Sequence, residues 1–226
     1  MSYSFDGVDD VMTVGSTALG LTVTMWARIK PAASYGEAGR GIILAWGVGA
    51  AGADQSPYSF ALTSATYGTN TLTFGLGRAT LGRWALPNNT VVANQWQSVA
   101  VTMDANVVSN DPLLYYNGVA GTVLQDTQGS GSLATAATTT YVGNSSLGNR
   151  TFEGLIGEVA VWTRILDPAE VARVHLRGPL PVLRGLYLWW RGSPTGTALD
   201  RAGYGRHGTV SGALFNADNP PLALVP

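Results

Sequence analysis

Few side chains in this sequence can do chemistry, and their spacing limits what that chemistry is. Retaining glycoside hydrolysis needs two carboxylates about 5–5.5 Å apart, and the only glutamates are Glu37, Glu153, Glu158 and Glu170. Glu153 and Glu158 lie five positions apart, which puts them on opposite faces of a continuous strand. Glu170 follows Asp167 at the spacing of a helix capping box. His175 and His207 have no serine or aspartate neighbour in a triad pattern, and no glycine-rich phosphate loop or histidine metal motif is present. With no cysteine, thiolate nucleophiles and thiolate metal sites are excluded as well. These residues predict a protein that is not an enzyme.

Binding chemistry remains. Aromatic rings in loops stack on sugar faces while amides bond the hydroxyls. The residues placed to do this are Tyr35, Tyr58, Tyr67, Trp84 and Tyr204, with Asn88 and Asn89 beside Trp84. Trp26, Trp46, Trp96, Trp162, Trp189 and Trp190 fall within strand patterns and are expected to pack inside. Trp84, in Gly82-Arg-Trp-Ala-Leu-Pro87, is the tryptophan expected at the surface, as suited to a partner protein as to a sugar.

The elements that position these groups follow from period-two alternation. Leu21, Val23, Met25, Ala27 and Ile29 share one parity, and Val99, Val101 and Met103 repeat it. Further strands are expected at 41–46, 57–63, 71–76, 113–116, 119–124, 138–142, 155–162, 186–190 and 209–215. Asn117-Gly118 supplies the two positive φ values of a type I′ turn, so 113–116 should pair with 119–124. Asp167, Pro168 and Glu170 start one short helix, near 168–177, that ends at Gly178. The 226 residues carry a formal charge of −1, 46% hydrophobic and 12% charged side chains, and 29 glycines, a balance that favours an all-β domain with a large core. Lys30 is the single lysine among 13 basic residues, no basic run exists, and no apolar stretch is long enough to span a bilayer. Neither nucleic acid nor membrane is an expected partner.

Six segments in order resemble the laminin-G-like branch of the concanavalin A-like lectin and glucanase superfamily. They are Phe5-Asp-Gly-Val-Asp-Asp10, the strand around Trp26, Trp96 to Asp104, Leu114-Tyr-Tyr-Asn-Gly118, Tyr141-Val-Gly-Asn144, and Phe152 to Leu166 with the following helix. The resemblance implies an antiparallel jelly-roll sandwich of two sheets. Leu186 to Trp190 and Asp200 to Gly208 look like the segment that in many members precedes the Phe-Asp-Gly motif. Their position after the helix implies a circular permutation, with residues 1–216 as one domain and 217–226 as a proline-rich tail.

The same resemblance implies calcium, with Asp6, Asp9, Asp10, Glu158 and Asp200 as oxygen ligands. Gly157 stands where relatives often have an aspartate before the residue matching Glu158, which thins the set. The alternative is that Asp6 and Asp9 cap a turn, Asp10 is solvated, and Glu158 bonds backbone or arginine. The N-terminal MSYSFDGVDD has no basic or apolar segment of an export signal. That suggests a protein assembled in a host cytoplasm onto a virion surface, as a capsid decoration that reinforces the particle or adheres weakly. A carbohydrate-binding module, in contact with cell-surface glycan and reaching the outside by a non-Sec route, is the alternative. On the virion-surface reading other copies of the chain or a capsid protein are the partners, and Pro220, Pro221, Leu222, Leu224 and Val225 form the assembly tail.

Overall fold

The computed structural model describes residues 1–47, 57–63, 70–133, 138–194 and 196–219. In chain order the strands are β1 (Ser2–Asp6), β2 (Val11–Thr17), β3 (Thr22–Gly36), β4 (Arg40–Trp46), β5 (Tyr58–Thr63), β6 (Thr71–Gly77), β7 (Leu81–Ala85), β8 (Gln97–Asp104) and β9 (Leu113–Tyr116). They continue as β10 (Val119–Ala120), β11 (Leu124–Thr127), β12 (Thr138–Val142), β13 (Phe152–Trp162), β14 (Leu186–Arg191), β15 (Thr197–Ala198), β16 (Gly208–Ser211) and β17 (Leu214–Asn216). One helix, α1 (Pro168–Arg177), interrupts them.

Two antiparallel sheets face each other. The first runs β10-β9-β8-β3-β13-β1-β17, with β14 also on β13, and the second runs β11-β7-β6-β5-β4-β12-β2-β16-β15. Between them lie the inward positions of both, among them Val23, Met25, Ile29, Trp46, Phe60, Phe74, Trp84 and Trp190. A second cluster covers the outer face of the first sheet, where Val171 and Val174 of α1 and Val182 pack on Trp26, Tyr115, Trp162 and Trp189. The fold is the expected jelly-roll sandwich.

The helix starts where its chemistry requires. Glu170 N donates to Asp167 Oδ1 at 2.8 Å and Asp167 N donates to Glu170 Oε2 at 3.1 Å, completing the capping box. The turn between β9 and β10 has Asn117 at φ 47 and Gly118 at φ 79, as type I′ geometry demands. Its second strand is shorter than expected, however. β10 ends at Ala120, and the chain crosses to the other sheet, where β11 pairs with β7. The expected single strand over 209–215 is likewise two, β16 on β2 and β17 on β1, split at Gly212. Both corrections have one cause: alternation marks which residues are extended but not which sheet receives them.

The C-terminal strands complete both sheets. Ser2 lies opposite Asn216, and the Ser2 hydroxyl donates to the Asp218 carbonyl at 2.9 Å, so the two ends of the chain are neighbours. β14 and β1 occupy the same edge of β13 end to end, with Gly192 against Ser2: a Cβ on Gly192 would stand 2.6 Å from the Ser2 nitrogen. This is the arrangement a permuted jelly roll requires.

Candidate functional site

The residues singled out by sequence separate into three places. Tyr35, Tyr58 and Trp84 are interior, at 2%, 0% and 0% exposure. Trp84 is therefore a correction: β7 alternates with its tryptophan inward, the ring lies 6.3 Å from Phe74, and Nε1 donates to Asp111 Oδ1 at 2.8 Å. Burying that ring against two sheets is worth about 3 kcal/mol, more than a solvent-facing turn offers. Tyr58 is stacked between Trp46 and Phe74 and donates to the Gly20 carbonyl, and Tyr35 donates to the Val91 carbonyl. Asn88 and Asn89 are exposed, with Asn89 accepting from Asn70 Nδ2, but the ring they were to accompany points away from solvent. Tyr67 and the tail residues Pro220, Pro221, Leu222, Leu224 and Val225 lie outside the described residues.

Tyr204 is different: it is 62% exposed, and it is built into a stack. The Arg206 guanidinium lies 3.9 Å from the Tyr187 ring centroid and 4.6 Å from that of Tyr204, with the two rings 6.5 Å apart. Such cation–π contacts contribute about 0.5–2 kcal/mol each. They hold Tyr204 with one face on the arginine and the other toward solvent. Tyr187 is itself anchored, its hydroxyl accepting from Ala18 N at 3.0 Å, and Arg206 Nη1 donates to the Tyr187 carbonyl.

Asp200 builds the loop that carries this stack. Oδ1 accepts from Trp189 N and Ala202 N, and Oδ2 from Tyr204 N and Arg206 N at 3.1 Å each. Trp190 Nε1 donates to the Arg206 carbonyl and Arg201 N to the Trp189 carbonyl, clipping the loop to β14. The carboxylate is thus an internal ligand of the backbone, and sequence reading placed it instead with a metal. Tyr187 and Arg206 were missed altogether. Their signal lay in the run Asp200 to Gly208, where an aspartate ahead of three glycines marks an acceptor-organised loop.

The acidic turn is the third place. One carboxylate oxygen from each of Asp6, Asp9 and Asp10 falls within 4.8 Å of the others. Asp10 Oδ2 accepts from Asp6 N at 2.7 Å and Asp6 Oδ1 from Val8 N at 2.8 Å, which leaves a further oxygen on each. Asp10 is buried, not solvated, because the β16–β17 turn closes on it: a Cβ on Gly212 would collide with its Oδ1. Burial, and then the charges of Asp6 and Asp9, push its carboxyl above the ordinary range. Among the described residues no lysine or arginine pairs with the three. Glu153, opposite Asp6 in the β1–β13 ladder, adds a further carboxylate beside them. Hard oxygens without a counter-cation fit a calcium ion, with backbone or water completing its shell.

Glu158 is not part of that group. It is buried between Arg28, at 3.7 Å, and Arg191, at 3.9 Å, and Arg28 Nη2 donates to the His175 carbonyl at the end of α1. An extra residue at Gly157 also changes the parity of β13: Ile156 and Val159 both face the core, so Glu153 and Glu158 share the outer face instead of opposing each other. At the rise of a strand they remain roughly 15 Å apart along it, too far for either two-carboxylate geometry of glycoside hydrolysis. Glu153 bonds the Ser34 hydroxyl.

The fold and these sites can be set beside known proteins. No curated protein sequence matches the chain. A proposed carbohydrate-binding protein from Bacteroides ovatus superposes with a TM-score of 0.66 at 19% identity over 99% of this chain and 61% of that one. The chain therefore spans about three fifths of its length. A heptameric SAP-like pentraxin from Limulus polyphemus gives 0.57 at 17% identity, over 77% of this chain and 81% of that one. The CBM40 of a Ruminococcus gnavus IT-sialidase, bound to α2,3 sialyllactose, gives 0.54 at 16%, over 77% and 98%. At these identities the likeness is one of fold. The model of the concanavalin A-like lectin/glucanases superfamily matches residues 6–172, and the chain belongs to that superfamily.

Proposed function

We propose that this protein is a non-catalytic glycan-binding module and that the outer face of Tyr204 is its contact platform. The observation that carries the reading is an exposed tyrosine ring held by the Arg206 guanidinium, which also lies over the neighbouring Tyr187 ring. A pyranose presents a face of C–H groups that such a ring takes up without reorganising, and a rigid platform lowers the ordering cost of binding. The named ligand and description of the CBM40 and Bacteroides structures, which share the fold, support the same class of partner. The particle-surface placement expected from the sequence rests on export features, and neither the fold nor the relatives add to it. Calcium belongs to the proposal as a structural ion held by Asp6, Asp9 and Asp10, neutralising a turn that the fold leaves with three adjacent negative groups.

The test is a glycan array followed by titration calorimetry, using the full chain and Tyr204→Ala. Binding that falls about ten-fold or more in the variant, with an unchanged melting temperature, supports the platform; loss of one stacked ring is worth about 1–2 kcal/mol. A wild-type chain that retains no glycan sinks the reading.

A further inference from the structure

The chemistry of the loop narrows the ligand. Between Leu199 and Gly208 the only carboxylate is Asp200, 9% exposed and taken up by four backbone N–H groups. Three basic side chains share the same stretch, Arg201, Arg206 and His207. Arg201 and His207 are exposed, and the Arg206 guanidinium lies over both rings with Nη1 donating to the Tyr187 carbonyl, which leaves its other N–H groups as the donor surface. His207 Nδ1 accepts from Asp200 N at 3.1 Å, so the neutral ring carries its proton on Nε2 as a further donor. A chain with a formal charge of −1 thus concentrates cations and donors around this stacked, exposed tyrosine and withdraws the local acid from reach.

Resting on the glycan reading, the geometry points to an acidic pyranose as the ligand, one whose C–H face lies on Tyr204 while a carboxylate or sulfate meets Arg201 and the edge of Arg206. A neutral sugar gains only the stack and ordinary hydroxyl bonds. An anionic one adds charge-assisted bonds, roughly twice as strong, and a guanidinium matches either anion with paired donors.

Calorimetry on the full chain with neutral galactan, galacturonate and sulfated galactan oligomers of equal length tests this, at about 50 mM and about 500 mM salt. The expected result is about ten-fold tighter binding of an anionic series than of the neutral one, shrinking at high salt. Arg201→Gln should remove most of that preference without loosening the loop, because the bond from Arg201 to the Trp189 carbonyl is made by its backbone nitrogen. A preference confined to one anionic series names the anion. Equal affinity for all three, lost in Tyr204→Ala, overturns the acidic preference and leaves the glycan reading standing. Binding to none overturns both, and anion binding that survives Tyr204→Ala overturns the platform at this loop.

Discussion

Two aspartate-bearing turns of this molecule use the same side chain in opposite ways. In the 200–208 loop a single carboxylate receives four backbone N–H groups and is satisfied by them. In the 6–10 turn three carboxylates crowd within 4.8 Å, and backbone donors reach only two of them, Asp6 and Asp10. The first arrangement satisfies its carboxylate internally and fixes a loop; the second leaves three carboxylates with no basic partner among the described residues. What distinguishes them is the ratio of donors to carboxylates, not the residue type.

The largest effect that can break this contrast is Asp200→Ala. It leaves four amides without their acceptor, and denaturant unfolding should show a loss of about 3 kcal/mol or more together with loss of glycan binding. Asp200→Asn sharpens the point: one amide group replaces an oxygen, and two of the four acceptor contacts go with it, so the loss should be intermediate. If Asp200→Ala unfolds at the same denaturant concentration as the parent, the loop is not organised by this carboxylate.

Asp10→Asn should act in the other direction, and less. Because burial raises the folded carboxyl above the ordinary carboxylate range, its contribution to stability is present below that range and is lost as pH rises through the raised value. With a chelator at neutral pH the variant should therefore be more stable than the parent, and flatter with pH across the acid range. Calcium should reverse the order by stabilising only the parent. A parent whose melting temperature ignores calcium, alongside an Asp10→Asn variant that gains nothing, would show the turn to be self-sufficient.

The smallest effect belongs to Asp218, a third aspartate. Its carboxylate accepts from Lys30 Nζ at 2.9 Å and Trp96 Nε1 at 3.2 Å, and these bonds hold it below the ordinary range. The stability it contributes is present above that range and is lost as pH falls through the lowered value. Since the Lys30 pair is one-third exposed on each side, Asp218→Asn should cost no more than about 0.5–1 kcal/mol. The position matters for the proline-rich tail, 217–226, in which sequence reading gave Pro220 to Val225 an assembly role. Asp218, just before those residues, is attached to strands β1 and β3 of its own chain through Ser2 and Lys30. Light scattering of a chain ending at Asn216 should accordingly report a slightly less stable particle of unchanged size; a change in oligomeric state would restore the tail to an assembly role.

Much of the fold was legible because its signals are local. Asn117-Gly118 admits one turn type, Asp167 and Glu170 cap each other within a single turn, and Val23 to Ile29 alternates over enough residues to define a face. The exposed and buried aromatics were not legible in the same way. Trp84 and Tyr204 both sit among glycines and arginines in sequence, yet one lies between two sheets and the other on the rim. Glu153 and Glu158 were misassigned in parity because a bulge at Gly157 inserts one residue that no spacing rule reveals.

The amino-acid sequence by itself determined the all-β class, the helix with its cap, the hairpin turn and the permuted order of segments, because each rests on contacts between near neighbours or on patterns repeated along a strand. Tertiary structure alone decided which sheet β11 and β17 join, which rings are buried, and which carboxylates share a site. Those outcomes depend on what lies across the sandwich, where residues distant in sequence compete for the same apolar volume and the same backbone donors.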